Sequence, residues 1–402
     1  MPGDAWPEIP LADVLAEPIR NGFSPVESQA WTGIQMLGLG CLSVDGFVPS
    51  QLKNAPVSVN STHTCVLRDG DLLVSRANTR ALVGLSGLYR DVGTPCIYPD
   101  LVMRLRVSDQ YLPEFLELVL RAPEMRRRIT SLAQGTSESM VKISGAALRH
   151  LMIPDIPVPE QRRIVDGIDA VSAQERAIEA SIVKLSRLRQ GVLLESLASV
   201  RHGELLAGWA RVPLKDVVPK AEYGISEALD RDPRGVPVLR MNNLQNGRPE
   251  LSELRYSPNP VSKQIELRHG DVLFNRTNSI DHIGKSCMWR NEIPRATFAS
   301  YLVRINPDRS RLLPEYLVEW LMHPLIRQRI RSISTVAVQQ VNVNPTRLRE
   351  LQIDMPVDPA EQRRIVESLY SCDEQIENEQ SELAKLRSLK VGLVDDLLAG
   401  CA

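Results

Sequence analysis

Apolar residues, with a few tolerated polar ones among them, recur with a seven-residue period in two long stretches of the chain, one near its middle and one at its C-terminal end. The steps between them alternate between four and three residues, which is the heptad spacing of coiled coils. The first stripe consists of Ile164, Ile168, Val171, Glu175, Ile178, Ile182, Leu185, Arg189, Val192 and Ser196. The second stripe stands 201 residues further on, at Ile365, Leu369, Cys372, Ile376, Glu379, Leu383, Leu386, Lys390, Leu393 and Leu397. Each stretch holds about 36 residues without proline and predicts a helix of about 54 Å. The simplest cover for each stripe is the other helix, and a helix that only caps its own domain is the alternative.

The two stripes belong to a duplication that spans the chain. Segments of the first half return 200 to 203 residues later, and the clearest pairs are GDLLVSRAN (70–78) with GDVLFNRTN (270–278), EQRRIV (160–165) with EQRRIV (361–366), and KLSRLRQGVLLESL (184–197) with KLRSLKVGLVDDLL (385–398). Two similar domains in one chain imply an approximate internal two-fold axis, as in a dimer of identical subunits. The middle parts, 22–66 and 224–266, share almost no identity. This pattern indicates one architecture that carries two different surfaces.

Each half has the same predicted order of elements. Short segments of strand character come first, separated by turn residues. They are DLLVSRA (71–77), CIYPDLVMRLRV (96–107), VPVLRMN (236–242), DVLFNRT (271–277) and TFASYLVRI (297–305). A helix follows in each half, at 111–133 and at 312–334, with one proline in its first turn and a second proline that breaks or kinks it. A polar loop, at 134–144 and at 335–344, and a proline-rich segment then lead into each heptad helix.

Length and composition fit a globular protein of two or more domains. The chain has 402 residues, 43% of them hydrophobic, and no run of 18 apolar residues that would predict a membrane-spanning helix. Its N-terminus lacks the basic and apolar parts of a secretory signal. The six cysteines are scattered without a C-x-x-C pair, which suits a reducing cytoplasm and argues against a zinc site. We therefore expect a cytoplasmic protein.

Charge gives little information about partners. The formal net charge is −1, yet the chain contains 39 Arg and only 9 Lys. Arginine is the better reader of planar, bidentate targets such as phosphate and guanine. A genome rich in G and C, which favours arginine codons, explains the same bias, so both explanations stay open.

No motif predicts catalysis or a bound cofactor. The sequence contains neither G-x-x-x-x-G-K-S/T nor G-x-G-x-x-G, which are the common loops for nucleotide phosphates. An adenine methyltransferase would need an Asn-Pro-Pro-aromatic tetrad, and SPNPV (257–261) departs from it. The six histidines have no metal-ligand spacing. We expect no catalytic, cofactor or metal site in this chain.

The ordered, duplicated motifs resemble the specificity (S) subunit of Type I restriction–modification systems. The resemblance rests on the EQRRIV entry to each long helix, on GDVLFNRTNSIDHIGK (270–285), on PVLRMNNLQNG (237–247), and on YGIS (223–226) with its counterpart NGFSP (21–25). It covers nearly the entire chain, and the pieces follow in the same order. The hexapeptide alone would be weak support, whereas the ordered set is strong.

The resemblance implies a fold. It is of α/β (α+β) type, with two similar target-recognition domains in a pseudo-two-fold arrangement, joined by two long helices that form an antiparallel coiled coil. In this sequence the domains would be 1–159 and 201–359. The conserved helices would occupy 160–200, as the central spacer, and 360–402, as the C-terminal spacer.

The resemblance also implies a function. Such a subunit binds double-stranded DNA without catalytic activity of its own and recognises a bipartite, asymmetric target with a gap of unspecified bases. It docks methylation (M) subunits, two in number, and restriction (R) subunits. S-adenosylmethionine, ATP and Mg belong to these partners, so no cofactor is expected on this chain and no membrane is involved.

Candidate DNA-contacting residues follow from side-chain chemistry, because arginine suits guanine while asparagine and glutamine suit adenine. The candidates are Arg76, Asn78, Arg80, Gln134, Thr136, Lys142, Arg240, Asn242, Asn243, Arg276, Asn278, Lys285, Gln339, Gln340, Asn342 and Asn344. Arg76 and Asn78 recur as Arg276 and Asn278, so they are a poor source of different specificities. Phosphate contact, or a structural role such as an Asx turn, is the alternative to base reading for these four. Polar segments that differ between the halves are better candidates for base reading.

Two other functions compete with DNA recognition. A coiled-coil adaptor that joins proteins without reading DNA would explain the helices and the duplication equally well. An enzyme, such as a nuclease or methyltransferase, is disfavoured by the missing motifs. Affinity for DNA that falls steeply with salt would separate DNA recognition from the adaptor.

Overall fold

The structure is a computed structural model that describes residues 6–135, 140–337 and 340–399. Its helices are α1 Pro113–Arg121, α2 Pro123–Ser131, α3 Gly145–Leu148, α4 Val158–Ser196, α5 Ala198–His202, α6 Pro314–Met322, α7 Pro324–Ser332, α8 Pro345–Glu350 and α9 Pro359–Ala399. Proline occupies the first helical position in α1, α2, α6 and α7, where a missing N–H costs nothing. The predicted helix of each half is therefore broken at its second proline, as the sequence indicated.

The strands are short and follow the same order in both halves of the described chain, with one additional strand in the second half. In the first half they are β1 Glu8–Pro10, β2 Arg20–Asn21, β3 Gln35–Leu37, β4 Leu42–Ser43, β5 Gly46–Phe47, β6 Leu52–Asn54, β7 Leu72–Ser75, β8 Ala77–Asn78, β9 Ser86–Leu88, β10 Cys96–Ile97, β11 Val102–Leu105, β12 Val141–Lys142 and β13 Met152–Pro154. In the second half they are β14 Trp209–Pro213, β15 Glu222–Tyr223, β16 Val236–Leu239, β17 Leu244–Gln245, β18 Arg248–Pro249, β19 Arg255–Ser257, β20 Val272–Asn275, β21 Thr277–Asn278, β22 Ser286–Met288, β23 Thr297–Phe298, β24 Leu302–Arg304, β25 Thr335–Ala337, β26 Gln340–Asn342 and β27 Gln352–Pro356.

The chain divides into two compact units. Unit 1 comprises residues 1–179 and 381–402, and unit 2 comprises residues 180–380. Each unit therefore contains one strand-rich half of the sequence together with part of α4 and part of α9. The sequence predicted different bounds, in which the long helices are separate from the two target-recognition domains. Those domain bounds stay a prediction.

The two units share one sheet topology. A four-stranded sheet has the order β2-β11-β7-β9 in unit 1 and β15-β24-β20-β22 in unit 2. A three-stranded sheet has the order β10-β3-β6 in unit 1 and β23-β16-β19 in unit 2, and its first pair is parallel in both. Strands β3, β6, β16 and β19 lie in the stretches with almost no sequence identity. The topology is therefore retained where the surface residues have diverged.

Each unit closes its core with a long helix. In unit 1 the apolar sheet face packs with Phe115 and Leu116 of α1 and with Leu397 from the end of α9. In unit 2 the equivalent core includes Leu193 of α4 and Leu369 of α9. Because apolar burial is the main favourable term in folding, these contacts fix the helices to each strand-rich half.

Helices α4 and α9 run antiparallel within each unit. In unit 1, Lys390 Nζ donates to Glu175 Oε2 at 2.8 Å, and Arg387 pairs with Glu179. In unit 2, Ser181 Oγ donates to Glu379 Oε1 at 3.0 Å. Residue numbers rise along α4 as they fall along α9, so the predicted antiparallel pairing and the mixed fold class are confirmed.

The repeated hexapeptide has a structural reason in its glutamine. Gln161 and Gln362 are fully buried. Gln362 Oε1 accepts from the backbone N–H of Leu313 at 2.8 Å, and its Nε2 donates to the carbonyls of Arg311 and Pro356 at 2.8 and 2.9 Å. Gln161 makes the equivalent bonds in unit 1. Each glutamine thus ties the start of a long helix to the loop that precedes the helix pair α1–α2 or α6–α7.

Two predictions from the sequence are wrong in detail. The polar segments at 134–144 and 335–344 were expected to be loops, yet they contain β12 in unit 1 and β25 with β26 in unit 2. β-Branched residues alternate with polar ones there, which suits a half-buried strand better than a free loop. The single strand expected at 96–107 is divided into β10 and β11 around Pro99, because proline cannot continue a ladder. No helix in the described ranges has the length and apolar character needed to cross a membrane.

Candidate nucleic-acid interface

Arg76 and Arg276 are the arginine that both halves share in the repeated GD-x-L-x-x-R-x-N segment. The strand that leads to each of them begins with a turn and a buried aspartate. In unit 2, Gly270 has φ +84°, and Asp271, which is 3% exposed, accepts from Arg304 at 2.9 Å. In unit 1, Asp71 is paired with Arg106 at 2.7 Å. A buried carboxylate needs such a partner, because an unpaired charge in the interior is costly. The GD of the repeated GD-x-L-x-x-R-x-N segment therefore serves the fold, and the arginine of the segment lies at the far end of the strand.

In unit 1 a small ladder brings several predicted residues together. Lys142 pairs with Ala77, and Val141 pairs with Asn78. The backbones of Gln134 and Lys142 exchange hydrogen bonds of 2.8 and 2.9 Å. Gln134 and Lys142 are exposed. Arg76, Asn78, Gln134 and Lys142 thus share one edge of unit 1, whereas the predicted contact Thr136 lies outside the described residues.

In unit 2 the equivalent ladder is a three-stranded sheet in the order β21-β26-β25. Thr277 pairs with Asn342, and Asn278 pairs with Val341. Gln340 is exposed at the beginning of β26. The sheet therefore brings together Arg276, Asn278, Gln340 and Asn342, while Gln339 lies outside the described residues.

Arg276 is held by several side chains. Its Nη2 donates to Asn342 Oδ1 at 2.9 Å, and Asn342 Nδ2 donates to Thr277 Oγ1 at 3.0 Å. The guanidinium lies over the Tyr223 ring, with 5.2 Å between Cζ and the ring centroid. Cation–π contact and a hydrogen bond together restrict the arginine to few rotamers. In contrast, Arg76 Nη1 makes a 3.4 Å contact with the carbonyl of Asp100.

The shared asparagines shape their own loops. Asn78 Oδ1 accepts from the N–H of Thr79 at 2.8 Å, and Asn278 Oδ1 accepts from the N–H of Ser279 at 2.8 Å. These local bonds fit the structural alternative better than base reading, because they hold each side chain against its own loop. Asn344 has a similar task, since its Oδ1 caps α8 by accepting from Thr346 at 2.8 Å.

The predicted group in 240–245 separates into buried and exposed members. Asn243 is 2% exposed, its Oδ1 accepts from the N–H of Arg240, and its Nδ2 donates to the carbonyl of Glu250. The structure therefore assigns Asn243 to the support of its turn. Asn242 is exposed. Arg240 is half-buried, and its Nη2 donates a hydrogen bond to the carbonyl of Glu253.

Lys285 lies beside the same surface. Its Nζ donates to Gln245 Oε1 at 3.0 Å. Burial, followed by the nearby Arg327 guanidinium, lowers the pKa of Lys285 below its ordinary value. Arg80 of unit 1 is half-buried in the loop after β8. In the described part of the chain no group of three His, Cys, Asp or Glu side chains has the arrangement of a metal site.

Sequence reasoning missed two tyrosines. Tyr223 and Tyr301 are 52% and 48% exposed, and Tyr301 borders a groove that also includes Arg240 and Asn242. Gly224, the neighbour of Tyr223 in YGIS, is required by close packing, because a Cβ on it would stand 2.0 Å from the carbonyl oxygen of Phe298. The exposure of Tyr223 itself has no signal in these four residues.

Two half-buried arginines were also missed. Arg126 of α2 donates to the carbonyl of Val83 at 3.0 Å, and Arg327 of α7 donates to the carbonyl of Asp281 at 3.1 Å. Burial lowers the pKa of Arg126, and burial with the nearby Arg331 lowers that of Arg327 to about 10. Both arginines therefore support the loop that follows a shared Arg-x-Asn, and the position is equivalent in the two units.

Comparison with known proteins gives one consistent family. Residues 207–388 match the model of the Type I restriction modification DNA specificity domain. The putative type I restriction enzyme MjaX specificity subunit of Methanocaldococcus jannaschii is 26% identical over 206 residues, which are 50% of this chain and 48% of that protein. The type I restriction enzyme EcoKI specificity subunit of Escherichia coli is 26% identical over 202 residues, 49% of this chain and 42% of that protein. The matched parts thus span less than half the length of these two relatives.

A solved structure shows the same fold. The structure is described as the structural basis underlying complex assembly and conformational transition of the type I R-M system. Its chain aligns with a TM-score of 0.65 and 20% sequence identity, over 99% of this chain and 98% of that chain. At this identity the likeness concerns the fold.

Proposed function

We propose that this chain is a specificity subunit of a Type I restriction–modification system, which reads double-stranded DNA for that system and carries out no catalysis itself. The observation that carries the proposal is the pair of units with one topology and different surface residues. A shared arginine stands at the edge of the small ladder in both units, next to polar side chains that differ. Two reading surfaces of one design suit DNA, which offers the same backbone everywhere and different bases at each step.

A bipartite target follows from this design. We propose that each unit reads one short sequence and that α4 and α9 set the number of unspecified bases between the two. The helices have 39 and 41 residues, which corresponds to about 58 and 62 Å. That is the scale of half-sites separated by one or more turns of DNA. Because the surfaces differ, the two half-sequences would differ, and the target would be asymmetric.

The proposed DNA contacts are the exposed or half-buried predicted residues that the structure does not assign to a turn, a loop or a helix end. They are Arg76, Arg80, Gln134, Lys142, Arg240, Asn242, Arg276, Lys285, Gln340 and Asn342. Asn78 and Asn278 would affect DNA binding only by shaping their own loops. Asn243 would do so by supporting a turn, and Asn344 by capping α8. Thr136 and Gln339 stay predictions from sequence alone.

Docking of two methylation subunits has support in the long helices. Leu188 and Leu389 occupy equivalent positions of the repeat and are 54% and 64% exposed. Three residues later stand Gly191 and Gly392, and a Cβ at either position would meet nothing within 4 Å. Glycine in an exposed helix costs about 1 kcal/mol relative to alanine, so a close partner would explain its presence in both copies. We propose that these equivalent faces receive the M subunits, which bring S-adenosylmethionine, and that R subunits with ATP and Mg join the same complex in the cytoplasm.

Duplex binding by the purified full-length chain tests the central proposal. If several phosphates are neutralised, the affinity for a 40-base-pair duplex should fall by about three orders of magnitude between 50 and 200 mM salt. An affinity that does not respond to salt would support the adaptor alternative. Methyl transfer with S-adenosylmethionine should require the M subunit, and transfer by the highly purified chain alone would contradict the assignment as a non-enzyme.

Sequencing of methylated sites in host DNA would identify the target. Cells with the chain should show a divided, asymmetric methylation site, and cells without it should lose methylation at that site. A continuous target, or one with two identical halves, would contradict the division of reading between the two units.

A further inference from the structure

The residues next to the shared arginine, Arg76 in unit 1 and Arg276 in unit 2, differ between the two units. Three equivalences are fixed by the backbone. In the small ladders, Lys142 pairs with Ala77 in unit 1, and Asn342 pairs with Thr277 in unit 2. In the four-stranded sheets, Asn21 of β2 pairs with β11 in unit 1, and Tyr223 of β15 pairs with β24 in unit 2. The carbonyls of Leu101 and Tyr301 each accept from the N–H of the shared arginine, at 2.8 and 3.0 Å. One arginine therefore has Asn21, Ala77, Leu101 and Lys142 around it, and the other has Tyr223, Thr277, Tyr301 and Asn342.

In unit 2 the residues that differ from those of unit 1 hold Arg276 in place. Asn342 accepts one hydrogen bond from Arg276 and is itself fixed by Thr277. Tyr223 lies under the guanidinium and is half exposed, and Tyr301 presents a second exposed ring at the carbonyl that anchors the backbone of Arg276. A side chain whose rotamer is fixed before binding loses less entropy when it binds, which favours a contact with strict geometry.

In unit 1 the same positions give the arginine a different role. Lys142 supplies a second exposed positive charge where Asn342 supplies an acceptor. Neither Asn21 nor Leu101 offers an aromatic ring to the guanidinium, and Arg76 makes the long contact with the carbonyl of Asp100 described above. Two cations with few constraints suit a phosphate, which is a diffuse target that tolerates many directions of approach.

We infer that Arg276 reads a guanine in the half-sequence of unit 2, whereas Arg76 contacts backbone phosphate in the half-sequence of unit 1. The inference rests on the proposed function and deepens it, because it assigns different tasks to one shared residue. The Nη1 group of Arg276 and the second N–H of its Nη2 remain for the O6 and N7 acceptors of guanine, which is the commonest specific contact of arginine with DNA. Tyr223, Tyr301, Thr277 and Asn342 are positioning residues for this contact.

Selection of bound duplexes from a random 30-base-pair pool tests the inference with the full-length chain. R276K keeps the charge and removes the planar fork, so preference for one guanine should fall by about 10- to 100-fold. R76K is the matched control at the equivalent position, and it should leave the preferred bases of both half-sequences unchanged. A duplex with 7-deazaguanine at the selected position, which lacks the N7 acceptor, should weaken binding of the unaltered chain more than binding of R276K, because a lysine can make only part of the bidentate contact.

The positioning residues supply a second set of variants. Tyr223→Phe keeps the ring under the guanidinium and should retain the preference. Tyr223→Asn and Asn342→Lys introduce the residues of unit 1, and both should reduce preference at the same guanine. The thermal unfolding midpoint of each variant shows that the fold is intact, so a loss of preference is attributable to the site.

The outcomes distinguish this inference from the proposed function. If R276K weakens binding to all duplexes equally and the base preference stays, Arg276 contacts phosphate and the inference is overturned while DNA binding stands. The same holds if R276K and R76K change the same base position. If the unaltered chain binds no duplex in a salt-dependent manner, the proposed function fails, and the inference fails with it.

Discussion

At the scale of residues, the sequence showed which positions are shared and left their tasks open. The asparagines of Arg-x-Asn were candidates for bases and for loop structure, and their hydrogen bonds to Thr79 and Ser279 fit the second task. The exposed Tyr223 was not predicted, because an aromatic residue beside a glycine is equally typical of a core strand. Exposure depends on which side of the strand the fold covers, and that is decided by contacts far away in the sequence.

The buried glutamine of EQRRIV gives a prediction at this scale. Gln362→Ala would leave the N–H of Leu313 and the carbonyls of Arg311 and Pro356 without their partner. Unsatisfied buried groups cost about 1 to 3 kcal/mol each, so we expect the free energy of unfolding to fall by about 3 kcal/mol. Urea denaturation measures the change.

A control for this glutamine is available on α4. Gln190 is exposed, and Gln190→Ala should change the free energy of unfolding by less than about 0.5 kcal/mol. Equal losses for the two variants would show that the buried hydrogen bonds of Gln362 contribute nothing beyond helix propensity.

At the scale of elements, the heptad stripe was the most reliable feature of the sequence. Every stripe position on α4 and α9 is buried or half-buried. The polar members of the stripe, which did not fit an apolar seam, make polar contacts between α4 and α9. They include Glu175 with Lys390, and Glu379 with Ser181. A periodic pattern identifies the buried face, but it does not identify partners, because those depend on the register of one helix against the other.

Arg189 illustrates what the pattern leaves open. It donates from Nε to Asp373 Oδ1 at 2.8 Å and from Nη2 to Glu319 Oε1 at 2.8 Å, so it joins α4, α9 and α6 within unit 2. Burial raises the pKa of Glu319 even beside this guanidinium, which shows that the carboxylate depends on its partner. For Arg189, burial acts in the opposite direction, but the hydrogen bonds to both carboxylates prevail and raise its pKa.

Removal of this arginine should therefore be costly. Arg189→Ala would leave Glu319, which is only 7% exposed, without its cation. Breaking a buried ion pair on one side costs several kcal/mol, and we expect a loss of about 3 kcal/mol in the free energy of unfolding by urea. Arg387→Ala is the matched control, because Arg387 and Glu179 also join α9 to α4 but are 58% and 48% exposed. An exposed pair is worth less than about 1 kcal/mol, so similar losses for both variants would contradict this explanation.

At the scale of the whole molecule, the duplication predicted the fold class, since two halves with one order of motifs must share one topology. The resemblance to specificity subunits, drawn from the same motifs, is confirmed. The small ladders next to the shared arginines could not be predicted in this way. Their strands are two or three residues long, and pairing between such short strands depends on a distant segment more than on local propensity.

The proposed spacer makes the last prediction, which concerns the chain as a unit. Insertion of four helix-forming residues after Ser181 and four more after Glu382 would lengthen both helices by about 6 Å, since each residue adds about 1.5 Å. At about 3.4 Å per base pair, the gap between the half-sequences should grow by about two base pairs, and the half-sequences themselves should stay the same. Sequencing of methylated sites in cells that carry the variant measures both properties at once.

A seven-residue insertion at the same two positions is the companion variant. It retains the heptad register of both stripes and should lengthen each helix by about 10 Å, so the gap should grow by about three base pairs. If the gap follows helix length in both variants, then separation is set by the helices and base choice by the units. If the half-sequences change while the gap stays constant, reading and spacing are not separable in this chain, because the insertions would then act by displacing the reading surfaces themselves.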